Sequence, residues 1–330
     1  MMEAAMEKTA LEVSRLTVSF QTEKGVILPV NDVSLSVPQG KIVGIVGESG
    51  CGKSMTARAI MGLLRFPGKV TGGEISLCGQ EITALPEKER RRLRGSEISM
   101  IFQEPMTSLN PVVKVGRQVH EAVRLHTNCT RAEAKQKTLE MFREVEIPEP
   151  EARYNCYPHQ LSGGLRQRVM IAMAMVCRPK LLIADEPTTA LDVTVEAQIL
   201  KLLEKLRDGG TSVLIISHNL GVIARVCDAV YVMYAGRIVE HAETAAIFAR
   251  PLHPYTQGLF SAVSSLRDGG ESLKTIPGVV PNLLRLPKGC SFSLRCDRCG
   301  ADCENKVPEL REIEPGHCVR CFLKEKEDRE

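Results

Sequence analysis

The stretch Gly47-Glu48-Ser49-Gly50-Cys51-Gly52-Lys53-Ser54 constrains this chain more tightly than any other. It fits the pattern G-x-x-x-x-G-K-[ST], follows the apolar run Ile42-Val43-Gly44-Ile45-Val46 and precedes the helix-like segment Met55 to Leu64. Strand, small-residue turn and helix in that order make a phosphate loop. The small residues let the backbone curl until several N–H groups face one anion, and the following helix adds the positive end of its dipole. In such a loop Lys53 reaches the β- and γ-phosphates and the Ser54 hydroxyl ligates Mg²⁺. An α/β fold is therefore expected.

Composition bounds what can surround that loop. A chain of 330 residues allows one large domain with an appendage, or two domains. Hydrophobic residues at 43% and charged residues at 25% describe a globular protein and exclude a disordered one. The 43 basic residues stand against 40 acidic ones, a formal charge of +3 that is too even to indicate a nucleic-acid or acidic-lipid partner. One basic run, Arg90-Arg91-Arg92-Leu93-Arg94, is diluted by Glu87, Glu89 and Glu97 and is expected to be a solvated helix face. Met1 to Lys8 carries Glu3 and Glu7 and no apolar core, so neither a signal peptide nor an anchor is expected there. No apolar run approaches the roughly 20 residues needed to span a bilayer. The expectation is a cytoplasmic chain whose membrane role, if any, runs through a partner.

Along the chain, Leu11 to Phe20 and the region up to Val37 alternate apolar and polar residues, with Val26 to Leu28 as a further strand-like segment, and predict an antiparallel sheet. Phe20 ends the first strand, where a ring can join the core or stack on a flat base. Glu74 to Cys78 predicts a short strand, Pro86 to Arg94 a helix, and Ile98 to Phe102 a buried strand that delivers Gln103, whose carbonyl can meet a metal or a water. From Val115 to Pro179 the periodicity is helical: Val115, Val119, Ala122 and Val123 share a face, and beyond a capping Thr130 come Leu139, Phe142 and Val145. An inserted helical subdomain is expected. Leu161 to Arg168 opens a helix with a small-residue turn, a second natural anion site.

Leu181-Leu182-Ile183-Ala184 is an apolar strand ending in Asp185 and Glu186. On a parallel sheet that end is expected beside the phosphate loop, where Asp185 can hold Mg²⁺ through its waters and Glu186 can orient the attacking water. Ser212 to Ser217 predicts another buried strand, with His218 at its end in position to hydrogen-bond a γ-phosphate. Ala229 to Tyr234 and Arg237 to Glu240 are expected to close the sheet, and the first domain to end near Ala249.

Twelve cysteines in a reducing compartment should be mostly thiols, and six of them crowd between Cys290 and Cys321. The series Cys290-x5-Cys296-x6-Cys303-x17-Cys321, with Cys299 and Cys318 besides, indicates metal or iron–sulfur ligation before disulfides. Cys296-x2-Cys299 with Cys318-x2-Cys321 would alternatively make a tetrahedral zinc site. A metal centre would give this small tail the stability its own core cannot.

Taken in order, these motifs resemble the ATP-binding cassette of ABC transporters over about Leu11 to Arg250. Phe20 matches the aromatic loop, Gly47 to Ser54 Walker A, and Gln103 the Q-loop. Leu161 to Gln167 matches the signature, with Leu165 where Gln or Met is commoner. Asp185-Glu186 matches Walker B with its catalytic Glu, Ala190-Leu191-Asp192 the D-loop, and His218 the switch histidine. The resemblance implies an α/β P-loop NTPase fold: a nucleotide-binding domain over residues 1–250 with an antiparallel β subdomain and a helical subdomain at about 104–179, then a Cys-rich extension over 251–330. It implies ATP contacts from Phe20, Gly47, Glu48, Ser49, Gly50, Cys51, Gly52, Lys53, Ser54, Met55, Gln103 and Asp185, and from Ser162, Gly163, Gly164, Gln167 and Asp192. Mg²⁺ would be held by Ser54, Gln103 and Asp185, and catalysis carried by Glu186, His218, Lys53 and Gln103. Two cassettes would sandwich two ATP molecules, Walker A of one facing the signature of the other, and drive membrane subunits.

Finer detail resembles the peptide-importer branch. Ile98 to Pro111 matches its Q-loop sequence, and His253-Pro254-Tyr255-Thr256 starts its C-terminal extension. Ser54-Met55 in place of Ser-Thr, with Arg168 to Met173, resembles one of two paralogous ATPases. That implies a heterodimer rather than a homodimer, two integral membrane permease subunits, an extracytoplasmic substrate-binding protein, and a place on the cytoplasmic face of the membrane. Cys290, Cys296, Cys303 and Cys321 match positions that hold a 4Fe-4S cluster in dipeptide-importer ATPases, with Zn²⁺ as the alternative. Nickel, another metal chelate or an oligosaccharide are alternative cargoes. A soluble cassette protein acting on nucleic acid or ribosomes is the competing class, against which stand the single cassette, the even charge and the lack of a basic arm or long coiled coil.

Overall fold

The computed structural model describes residues 8–104, 108–189, 192–267 and 276–323. The N-terminal reading over Met1 to Glu7, the Q-loop residues Pro105, Met106 and Thr107, and the D-loop residues Ala190 and Leu191 lie outside them. The chain divides into two compact units, one of Met1–Ala10, Val37–Lys41 and Ala84–Ile215, the other of Leu11–Ser36, Ile42–Thr83 and Ile216–Glu330. Strands are numbered along the chain: β1 (Thr9–Thr22), β2 (Gly25–Pro38), β3 (Ile42–Val46), β4 (Gly68–Leu77), β5 (Gln80–Glu81), β6 (Ile98–Ile101), β7 (Leu181–Asp185), β8 (Ser212–Ile216), β9 (Ala229–Tyr234), β10 (Arg237–Glu243), β11 (Arg311–Glu314) and β12 (His317–Val319).

In the second-named unit, β2-β1-β4-β5 forms the expected antiparallel sheet. Alternation along β1 buries Leu11, Val13, Leu16 and Val18. The register slips around Thr17 and then brings Phe20 opposite Gly68, where an added Cβ would lie 2.4 Å from the Phe20 ring. Only glycine lets that ring cross the neighbouring strand so closely.

The same unit carries a second layer ordered β11-β12-β10-β9-β3. Here β3, buried at every position, runs parallel to β9, and β9, β10, β12 and β11 pair antiparallel. The sheet therefore does not close at Arg237–Glu240: two strands from the cysteine-rich tail extend it. Those strands, of 4 and 3 residues, are too short to carry a periodicity signal. Their attachment centres on Glu240, 0% exposed, whose carboxylate accepts from the Leu252 (2.6 Å) and His253 (2.8 Å) N–H groups and lies 2.8 Å from His317 Nε2.

In the first-named unit, β7 lies between β8 and β6 and pairs with β6 in parallel. The helices Val115–His126, Arg131–Glu144 and Gly163–Met175 pack together, and Val119, Val123, Phe142 and Val169 on them are all buried. Thr130 caps the second: its hydroxyl accepts from Glu133 N–H (3.3 Å) while Glu133 accepts from Thr130 N–H (2.7 Å). No helix among the described residues is long and apolar enough to cross a membrane.

Candidate functional site

The phosphate loop leaves β3 and enters the helix Lys53–Ile60 with a position at each end, Gly47 and Gly52, that only glycine can fill. An added Cβ would fall 2.2 Å from the Met233 carbonyl oxygen at Gly47 (φ 152°) and 2.1 Å from the Pro29 carbonyl oxygen at Gly52 (φ 113°). The loop is thus pressed onto neighbouring backbone and curls inward. Lys53 follows it, 5% exposed, with its ammonium donating to the carbonyls of Gly47 (2.7 Å) and Glu48 (3.1 Å). That puts a buried cation within the curl of the loop. Ser49 and Gly50 are exposed, while Ser54 and Met55 are half-buried. Burial pushes the Cys51 thiol up, against a smaller opposing pull from Lys53, so it stays neutral.

Glu48 is held from two directions by the C-terminal segment. Its N–H donates to the Tyr255 phenol oxygen at 2.9 Å, and its carboxylate takes both arms of the Arg295 guanidinium at 2.6 and 3.0 Å. Arg295, with 4% of its side chain exposed, also donates to the carbonyls of Pro277 (2.9 Å) and Ile276 (3.3 Å) and to Tyr234 Oη (3.4 Å). The Glu48 bonds hold the guanidinium above its ordinary value, outweighing desolvation. Tyr234, Tyr255 and Phe292 pack as one aromatic cluster with ring centroids 4.7 to 5.5 Å apart. Burial raises both phenols, so both remain protonated. Sequence reasoning passed over Arg295. Tyr255 is legible only as part of the extension's opening motif.

The carboxylate side stands on the first-named unit. β7 is buried through Asp185, and Glu186 follows in a left-handed turn (φ 49°), an uncommon conformation for a non-glycine residue. Glu186 Oε2 accepts from the Gln103 amide at 3.0 Å and from the Thr189 hydroxyl at 2.9 Å. With its nitrogen engaged this way, Gln103 keeps its carbonyl oxygen for other partners. Thr189 has no motif to announce it.

In the signature, Ser162 caps the helix Gly163–Met175 by accepting from Leu165 N–H (3.4 Å), and Ser162 and Gly163 are exposed. A Cβ on Gly164 would lie 3.2 Å from Val195. Gln167, 2% exposed, points inward and donates to the Pro187 carbonyl at 2.7 Å, tying the signature helix to the turn after β7. Asp192 caps the helix Val193–Asp208 through Val195 N–H (2.9 Å). His218 is exposed just beyond β8, and Phe20 is half-buried across Gly68.

Four of the six tail cysteines, Cys290, Cys296, Cys303 and Cys321, line one pocket with Phe292, His253 and Pro308. Cys299 is exposed, and Cys318 sits on β12 opposite His241 and Glu312; neither lines that pocket. Burial pushes Cys290 up to about 11, and the neighbouring Cys303, Cys321 and Cys296 add to the shift. Four thiols on one pocket suit a four-iron cluster as a donor set. The void they enclose is about 10 Å³, so the thiols would have to part to admit one. No group of three or more His, Cys, Asp or Glu among the described residues is spaced to hold a metal ion.

Comparisons with known proteins agree with this geometry. A family model for ABC transporters matches residues 30–189, and one for the oligopeptide/dipeptide transporter C-terminal region matches residues 239–303. The chain is 52% identical over 315 residues to a probable peptide ABC transporter ATP-binding protein of Sinorhizobium fredii, covering 94% of each. It is 52% identical over 313 residues to the oligopeptide transport ATP-binding protein OppD of Escherichia coli, covering 94% of this chain and 92% of that one. It is 46% identical over 312 residues to the dipeptide transport ATP-binding protein DppD of the same organism, covering 94% and 95%. Among solved structures, a dimeric cassette in a post-hydrolysis state bound to ADP and Pi superposes with a TM-score of 0.65 at 27% identity, covering 71% of this chain and 98% of that one.

Proposed function

The chain belongs to the ATP-binding proteins of ABC transporters, and from that premise we propose that it is the ATP-hydrolysing subunit of a peptide importer. The observation that carries the reading is the curled loop with Lys53 buried inside it. An anion-binding turn of that form, in a chain alike over 94% of its length to ATP-binding proteins of peptide transport, supports ATP as substrate and oligopeptide or dipeptide as cargo.

In this reading Gly47 to Ser54 and Met55 cradle the triphosphate, Lys53 meets its β- and γ-phosphates, and Phe20 stacks on the base. Ser54, the Gln103 carbonyl oxygen and Asp185 supply oxygen donors for Mg²⁺, which when bound draws charge from the phosphate oxygens. Glu186 orients the attacking water, and His218 meets the γ-phosphate. Ser162, Gly163 and Gly164, with Gln167 and Asp192 behind them, face the nucleotide of a second cassette, a paralogue of this chain. Two membrane permease subunits and an extracytoplasmic binding protein complete the assembly, with this chain on the cytoplasmic face. Turnover of Mg-ATP by the purified full chain with its partners tests the reading. Failure to bind or split ATP overturns it.

Cys290, Cys296, Cys303 and Cys321 are proposed to hold a 4Fe-4S cluster, which when bound would cross-link the tail. Their convergence on one pocket supports this set over one using Cys299 and Cys318. Iron, sulfide and zinc analysis after anaerobic purification separates the cluster from Zn²⁺.

A further inference from the structure

All five guanidinium N–H groups of Arg295 are engaged: Nε on Pro277 O, Nη1 on Glu48 and Tyr234 Oη, and Nη2 on Glu48 and Ile276 O. Such complete use fixes the guanidinium in one place. Its one carboxylate partner belongs to the phosphate loop, 247 residues away in sequence. Glu48 is a poor residue to find there on charge alone. Its carbonyl is one of the two that hold the Lys53 ammonium, so its carboxylate stands one residue's reach from the group that must attract a triphosphate. A free negative charge at that distance would repel the ligand.

We propose that Arg295 is a positioning residue of the nucleotide site: from the C-terminal extension it cancels the Glu48 charge and pins the loop, setting the affinity for triphosphate. The inference rests on the ATP-binding reading above. Tyr255 works beside it by taking the Glu48 N–H, so side chain and backbone of that residue are both anchored outside the loop. The extension is thereby a working part of the nucleotide site in the same chain. Its removal loosens the loop even where the motif itself is intact.

The test uses the full-length chain and calorimetric titration with Mg-AMP-PNP, a non-hydrolysable ATP analogue. Arg295→Met weakens binding roughly tenfold, the scale of one uncompensated charge near an anion. The double variant Arg295→Met with Glu48→Gln restores affinity to within about threefold of wild type, because residue 48 meets the triphosphate through its backbone alone and no charge is left unpaired. Arg295→Lys, which keeps the charge with fewer donors, falls between. In turnover assays Arg295→Met raises KM for Mg-ATP with little change in kcat. Wild-type affinity in Arg295→Met overturns the proposal. So does a double variant as weak as the single one, since a merely structural arginine would not be rescued by removing its partner's charge. A wild-type chain that fails to bind the analogue overturns the ATP reading itself.

Discussion

Glu48 and Glu186 are carboxylates in the turns that follow two buried strands, β3 and β7, and they are held in contrasting ways. Glu48 meets a buried guanidinium that cancels its charge and a phenol that takes its N–H. Within its own unit Glu186 receives an amide from Gln103 and a hydroxyl from Thr189, and its backbone sits in a left-handed turn. Neutral donors aim a carboxylate without cancelling it; a bidentate arginine cancels it. The difference teaches that the neighbours, more than the residue type, decide whether a glutamate's charge is neutralised, as at Glu48, or left in place and aimed, as proposed for Glu186.

The sharpest way to break this contrast is to remove each charge in turn. Glu186→Gln is expected to lower kcat for ATP by about a hundredfold or more, with Mg-AMP-PNP affinity within about twofold of wild type. Glu48→Gln should leave kcat within about threefold. Steady-state turnover and calorimetry on the same preparations decide it. Equal losses in kcat would erase the distinction.

Much of this was legible beforehand because it is local. A turn that needs φ of 152° and 113° within a few residues demands glycines at fixed places, and Gly47 and Gly52 announce it. The carboxylates at the end of β7 and the Thr130 cap are likewise written in neighbouring residues. The grip of Arg295 on Glu48 is not, since an ion pair between distant segments leaves no period or spacing. For the same reason Gln167, which the signature motif offers to nucleotide, turns out to be buried against Pro187, and the tail strands β11 and β12 went unseen. Cysteine spacing named the four thiols that share a pocket, but spacing says nothing of how far apart they stand.

A third carboxylate sharpens the comparison from the structural side. Glu240 is 0% exposed and joins the Leu252 and His253 N–H groups to His317, where β12 docks on β10. Glu240→Ala strips acceptors from two backbone donors and leaves a cavity, so unfolding free energy should fall by about 3 kcal/mol. A drop in Tm of several degrees by scanning calorimetry would register it. An unchanged Tm would show that the tail strands add nothing to the stability of their unit.

A smaller loss of turnover than at Glu186 is expected at Thr189, and it isolates aiming from everything else. Gln103 is a poor probe because its carbonyl is also proposed to meet Mg²⁺, whereas the Thr189 hydroxyl is assigned no part in the nucleotide site beyond its bond to Glu186 Oε2. Thr189→Val keeps the shape and deletes that one hydrogen bond to a carboxylate, worth roughly 1.5–3 kcal/mol, of which only the part that aims Glu186 is felt in kcat. The kcat should fall about three- to tenfold, with affinity for Mg-AMP-PNP unchanged and Thr189→Ser close to wild type. If Thr189→Val turns over ATP at the wild-type rate, the orientation of Glu186 does not depend on the turn that carries it, and the left-handed backbone at φ 49° would have to hold the carboxylate by itself.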